Sequence, residues 1–128
     1  MPINLEEVEF ANEAFYLAFE SKDFDAMTHL WSEEVTPICL HPGWPALVGR
    51  AGVLESFKSI LNNPEQGQVS FYAPDVVQVS DTSAVVVCYE QAGSTTMVAT
   101  NTFVLEDDRV RLCCHQAGYC AQPPEPSQ

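Results

Sequence analysis

The chain changes its hydrophobic period at Pro64, and that change limits what it can fold into. Beyond it, "QVSFYAPDVVQVS", "SAVVVCYEQA", "TTMVATNTFVLE" and "RVRLCCHQAGY" are rich in Val, Thr, Phe and Tyr. The short polar turns "SDTS", "AGST" and "EDDR" separate them. β-Branched and aromatic runs punctuated in this way read as antiparallel strands joined by hairpins. A sheet of this kind must bury one face, so the cover has to come from the residues upstream of Pro64.

Those residues are helical. Leu5, Val8, Ala11, Phe15, Ala18 and Phe19 recur at helical spacing, with Glu6, Glu9, Glu13 and Glu20 on the other face. The first helix is expected over about 5–21, with Asn4 and Glu7 as a capping box. "SKDFD" breaks it, and Asp23 can cap a short second helix to about Trp31. "EEVTPICLH" reads as a short strand or extended segment, and Gly43, Pro45 and Gly49 hold a loop. "AGVLESFKSILNN" restores helical spacing through Val53, Leu54, Phe57, Ile60 and Leu61 before Asn62, Asn63 and Pro64 stop it. The expected architecture is α+β: three N-terminal helices packed on a curved antiparallel sheet, one domain over 1–120. The tail "AQPPEPSQ" (121–128) has three prolines and no apolar period, and is expected to be disordered.

A net charge of −13 with only five basic residues gives no cationic patch for nucleic acid, and an anionic membrane would repel it. No apolar run approaches the ~20 residues a bilayer span needs. Five cysteines, an odd number, occur without a secretory signal or a CxxC pair, so a reduced cytoplasmic protein is expected. Nothing in the sequence implies a cofactor. His41, Cys113, His115 and Cys39 are ligand types that zinc accepts, but their spacing does not require them to converge, and no metal is expected.

The helical hairpin ending "DFDAMTHLWSEEV", together with "CLHPGWPALVGRAGVLESFKSIL" and "ATNTFVLEDDRVRLCCHQA", resembles the SnoaL-like branch of the nuclear transport factor 2-like superfamily, which includes ketosteroid isomerase. The resemblance covers about residues 5–118. It implies a cone-shaped barrel with an internal pocket, and a homodimer packed through the outer face of the sheet. Isomerases, cyclases, dehydratases and hydrolases all occur among such proteins, so the fold does not settle the chemistry. Ketosteroid isomerase-like members carry a basic aspartate before a proline, near His41-Pro42 here; Cys39 is the alternative, depending on the gap. Their oxyanion-stabilising tyrosine falls near Phe15, which has no hydroxyl. Tyr16 is expected to point elsewhere, about 100° round the helix.

Strand alternation then selects candidates. Cys113 and His115 should share a face, with Cys114 opposite, and Asn101 lies in phase with Met97, Ala99 and Phe103. His41 is the candidate general base, since a neutral imidazole accepts a proton near neutral pH; the plain alternative is a ring that fixes the HPGW turn. His115 and Asn101 are expected to orient a polar group of a ligand, or else to satisfy one another in the core. Cys39, Trp44, Trp31, Tyr72 and Tyr89 complete the expected ligand contacts, although both tryptophans read first as core or dimer-packing residues. Cys39 and His41, two apart on a strand, should lie ~7 Å apart and not pair directly. The function expected is binding or transformation of a small apolar ligand with one or two polar groups. The competing expectation is a non-catalytic, dimeric protein-association module.

Overall fold

In a computed structural model that describes residues 2–126, three helices cover one face of a six-stranded sheet. Helix α1 spans Leu5–Glu20, α2 Phe24–Leu30 and α3 Arg50–Asn62; the strands are β1 Ile38–Leu40, β2 Leu47–Val48, β3 Ser70–Ser80, β4 Ser83–Ala92, β5 Thr95–Glu106 and β6 Arg109–Tyr119. The order β2-β1-β6-β5-β4-β3 leaves the sheet open at β2 and β3 rather than closed into a barrel. The four long strands form the expected antiparallel meander. The sheet as a whole is mixed, because β1 runs parallel to β6, with Cys39 opposite His115.

Local chemistry accounts for the element ends. Asn4 Oδ1 accepts from the Glu6 and Glu7 amides at 2.9 and 3.2 Å. Only this half of the expected capping box forms. Asn4→Ala should cost about 1 kcal/mol, read from chemical denaturation; no measurable loss would mean that other contacts hold the α1 start. Asp23 caps α2 through the Ala26 amide. The β5–β6 turn carries Asp107 and Asp108 at φ 50° and 61°, the paired positive values of a type I′ hairpin. Pro74 sits where the β3–β4 register shifts, on an edge strand, which tolerates a missing N–H.

The core lies between α1, α3 and the inner face of the sheet, where Ala84, Val86, Cys88, Ala99, Phe103 and Leu112 meet Val8, Phe15, Val53 and Phe57. Trp31, fully buried, closes the α2 end of it against Phe57. Glu106 ties the segment after Trp31 to the sheet, accepting from Ser32 Oγ at 2.8 Å and from the Glu33 and Glu34 amides at 3.0 Å. The tail has no regular element as far as Pro126, and the Pro124 carbonyl accepts from Tyr72 Oη at 2.9 Å. The end of the expected disordered segment, Ser127 and Gln128, lies outside the described residues.

Candidate functional site

The small inward side chains of β4–β6 leave a cavity of about 360 Å³ beneath α1 and α3, lined on its apolar part by Phe15, Phe19, Trp44, Phe57 and Met97 and also by the polar Ser59, Asn63 and Gln66. Four ionisable side chains reach its wall: Tyr16, His41, Glu90 and His115.

His41 arrives there by way of a turn. Strand β1 ends at Leu40, and the Trp44 amide donates to the His41 carbonyl at 3.0 Å. Pro42 fixes φ at the next position, and Gly43 adopts φ 81°, the pattern of a type II turn. The HPGW stretch is therefore both a constrained turn and a way of delivering an imidazole. Because the backbone leaves the extended path there, Cys39 Sγ and His41 Nε2 come within 3.5 Å, closer than the strand spacing predicted. The thiol is no nucleophile in this setting, since burial pushes its pKa up to about 12.

The hydrogen bonds assign the ring protons of both histidines. Ser56 Oγ donates to the Val53 carbonyl at 2.6 Å, so at 2.9 Å it can only accept from His41 Nε2–H. His41 Nδ1 is left as a lone pair, with the weak Cys39 thiol 3.9 Å away. Asn101 donates its amide to Asn12 Oδ1 at 2.8 Å and to Tyr16 Oη at 3.1 Å, and its Oδ1 therefore receives His115 Nδ1–H at 2.6 Å. This leaves His115 Nε2 unprotonated, 3.9 Å from Glu90 Oε2. The ring centroids of His41 and His115 lie 6.3 Å apart.

Burial keeps both imidazoles neutral. It lowers the His41 pKa to about 4; burial, and then the neighbouring His41, lowers that of His115 to about 3. Glu90 is raised by burial and partly held down by Tyr16, whose hydroxyl donates to Oε2 at 2.5 Å. Burial, followed by the Glu90 charge, raises Tyr16 well above the usual phenol range.

The expected site residues separate into two groups. His41, His115 and Trp44 line the cavity. Asn101, Cys39, Trp31, Tyr72 and Tyr89 do not. Asn101 is fully buried one layer back, where it orients His115. Cys39 lies beneath the His41 ring. Trp31 is held in the core by its bridge to Leu112. Tyr72 and Tyr89 are paired across β3 and β4 and stack at 5.6 Å, out of phase with the inward Cys88 and Glu90 and so on the outer face. Cys113 is the extra residue at a bulge: Thr102 pairs with Cys114 but Phe103 with Leu112. The inward pair on β6 is therefore Leu112 and His115, three apart, and alternation fails for Cys113.

Three residues escaped the sequence reading. Tyr16, expected to point away, is buried beside Phe15 because the concave sheet covers a broad arc of α1. Glu90 continues the inward phase of Ala84, Val86 and Cys88, a signal visible in the alternation of "SAVVVCYEQA". Ser56 falls at helical spacing from Val53, on the buried stripe of α3. Among the described residues, no three His, Cys, Asp or Glu side chains converge as a metal site. No described helix is long and apolar enough to cross a membrane.

An open sheet under three helices, with a cavity of mixed polar and apolar lining between them, is the cone architecture of nuclear transport factor 2-like proteins. The SnoaL-like domain model matches residues 8–121, and the chain belongs to that family. A candidate dehydratase of the NTF2-like family from Streptomyces avermitilis superposes with a TM-score of 0.81 at 31% identity, over 92% of this chain and 97% of that one. A protein from Thiobacillus denitrificans, named as a candidate calcium/calmodulin-dependent protein kinase type II association domain, gives 0.78 at 26% identity, over 88% and 94%. A ketosteroid isomerase-like protein from Erwinia carotovora atroseptica gives 0.76 over 92% and 97%; at 18% identity it shows the shared fold alone. No curated protein matches the chain.

Proposed function

We propose that the protein is an enzyme that moves a proton on a small, largely apolar molecule, in the manner of an isomerase or dehydratase, with His41 as the base. One observation carries this: the Nε2–H of His41 is committed to Ser56, which leaves a free Nδ1 lone pair on a neutral ring that lines the cavity. A ring with a pKa of about 4 is unprotonated at neutral pH and so always ready to accept. Such a weak base needs an acidic C–H, the kind found beside a carbonyl, and it returns the proton from Nδ1 as a general acid. In a dehydration the proton would leave with the departing hydroxyl as water. His115 Nε2 and Glu90, on the same cavity, support the reading as positioning groups. The candidate dehydratase from Streptomyces avermitilis is in keeping with it.

The non-catalytic association module is the less favoured reading. One relative carries such a name, but a cavity filled by aromatic side chains would suit that role better than an open one with ionisable walls. A homodimer and a cytoplasmic location complete the proposal. The exposed Val77, Val79 and Val98 on the outer face of β3 and β5 support the dimer.

The test is a panel of β-hydroxy ketones and enolisable ketones, followed by His41→Ala in protein shown to be folded by circular dichroism. The expected result is a drop in kcat/KM on the order of a hundredfold or more. Unchanged turnover in the folded variant removes His41 from the mechanism.

A further inference from the structure

The hydrogen-bonding groups at the Glu90 end of the cavity share a property that no single residue shows. Each has already committed its proton within the protein. His41 gives Nε2–H to Ser56, His115 gives Nδ1–H to Asn101, and Tyr16 gives its hydroxyl proton to Glu90 Oε2. What remains for a ligand is three sets of lone pairs: His41 Nδ1, His115 Nε2 and Glu90 Oε1. Glu90 Oε1 has no donor among the described residues, and it is not sealed from the cavity. Against these three groups a ligand must bring the protons; Ser59, Asn63 and Gln66 also line the cavity and can donate there. A carboxylate or phosphate placed against His41, His115 and Glu90 would set lone pairs against lone pairs, and none of the five Lys and Arg residues lines the cavity to receive one.

Three features distinguish a charged donor from a neutral one. The carboxylate of Glu90 has no cationic partner among the described residues, because the imidazole 3.9 Å from it is neutral. The rest of the wall offers the rings of Phe15, Phe19, Trp44 and Phe57, whose faces attract cations. The chain carries a net charge of −13, which draws cations towards its surface and repels anions. The volume, about a dozen water volumes, suits one ring with a short side chain.

We propose that the ligand of this cavity is a small amine, whose ammonium group donates to Glu90 Oε1 and His115 Nε2 while its apolar body lies against the aromatic wall. His41, with its ring 6.3 Å from that of His115, remains free for the proton transfer. The inference places its ligand in the same cavity as the acid–base reading and specifies the polar group. It stands or falls on binding, whereas that reading stands or falls on turnover.

The experiment compares three probes of nearly equal shape on the wild-type protein by protein-observed NMR titration: 2-phenylethylamine, 2-phenylethanol and phenylacetate. The amine is expected to bind about tenfold tighter than the alcohol, with shifts at the His115 ring nitrogens, and phenylacetate not to bind. Glu90→Gln should bring amine and alcohol to equal affinity. The proposal is overturned if the alcohol or the acid binds as well as the amine, or if none binds at millimolar concentration. It is also overturned if the amine preference survives in folded Glu90→Gln protein. The wild-type series decides the matter if that variant does not fold. An amine preference without turnover would leave a binding site and remove the enzyme; turnover of a neutral ligand alone would remove only the ammonium.

Discussion

Lowering the pH from 7 to 5 will remove roughly 4 kcal/mol of folding stability, about 2 kcal/mol for each of two buried histidines. In the unfolded chain both rings titrate near 6.5; in the folded chain His41 titrates at about 4 and His115 at about 3. Between those limits the unfolded state binds more protons, so stability is fully present above 6.5 and falls as the pH falls towards the folded values. Two groups modify the limb. Burial raises Glu90 in the folded state, so it favours folding as acid is added. Glu106 acts in the opposite direction. Burial alone would raise it, but the Glu33 and Glu34 amides and Ser32 hold it below the usual carboxylate range, so its contribution is lost at lower pH. Urea unfolding at pH 7, 6 and 5 measures the slope. A total of about 4 kcal/mol is a large part of what a domain of this size holds in reserve. Stability that stays flat across this window would show that one or both rings are charged or solvated in the folded state.

Trp31→Ala will cost about 3–5 kcal/mol, as truncation of a fully buried tryptophan does when its surroundings cannot collapse into the space. The ring is fully buried at the C-terminal end of α2 and packs at 5.8 Å against Phe57. Residues on both sides are fixed: the preceding helix by its Asp23 cap, and the following segment by the Glu106 carboxylate. Trp31→Phe should cost much less, because it keeps most of the apolar volume and removes an indole N–H that has no partner among the described residues. Denaturant midpoints of the two variants give the comparison. A loss below about 1 kcal/mol for the alanine variant would place the indole outside the packed core. Trp31 was a candidate ligand contact in the sequence, and this measurement bears on that role too. A residue that acts through ligand contact would change binding in a protein of nearly unaltered stability.

The two histidines show how far linear pattern carries. His115 was expected on the inward face with Asn101, and the two residues are paired across β5 and β6, but the phase that linked it to Cys113 fails, since Leu112 is its inward neighbour. His41 could be recognised as unusual, since the HPGW turn does not need a histidine. Its orientation could not be read, because the ring's direction depends on the turn after β1 and on Ser56, fifteen residues away on α3. Cys113 was misplaced by one inserted residue, since strict alternation ends at a bulge.

By itself, the sequence determined the elements and their class. The helical period before Pro64, the caps at Asn4 and Asp23, and the strand–turn rhythm beyond it are local preferences acting over a few residues. They also determined that one face of the meander had to be covered by helices, which makes the domain α+β. The tertiary structure decided the rest. The parallel pairing of β1 with β6, the meeting of Tyr16 with Glu90 across seventy-four positions, and the direction of each ring proton all depend on contacts between distant segments. Such contacts are set by how a curved sheet and three helices exclude water together, and no local period in the chain records that.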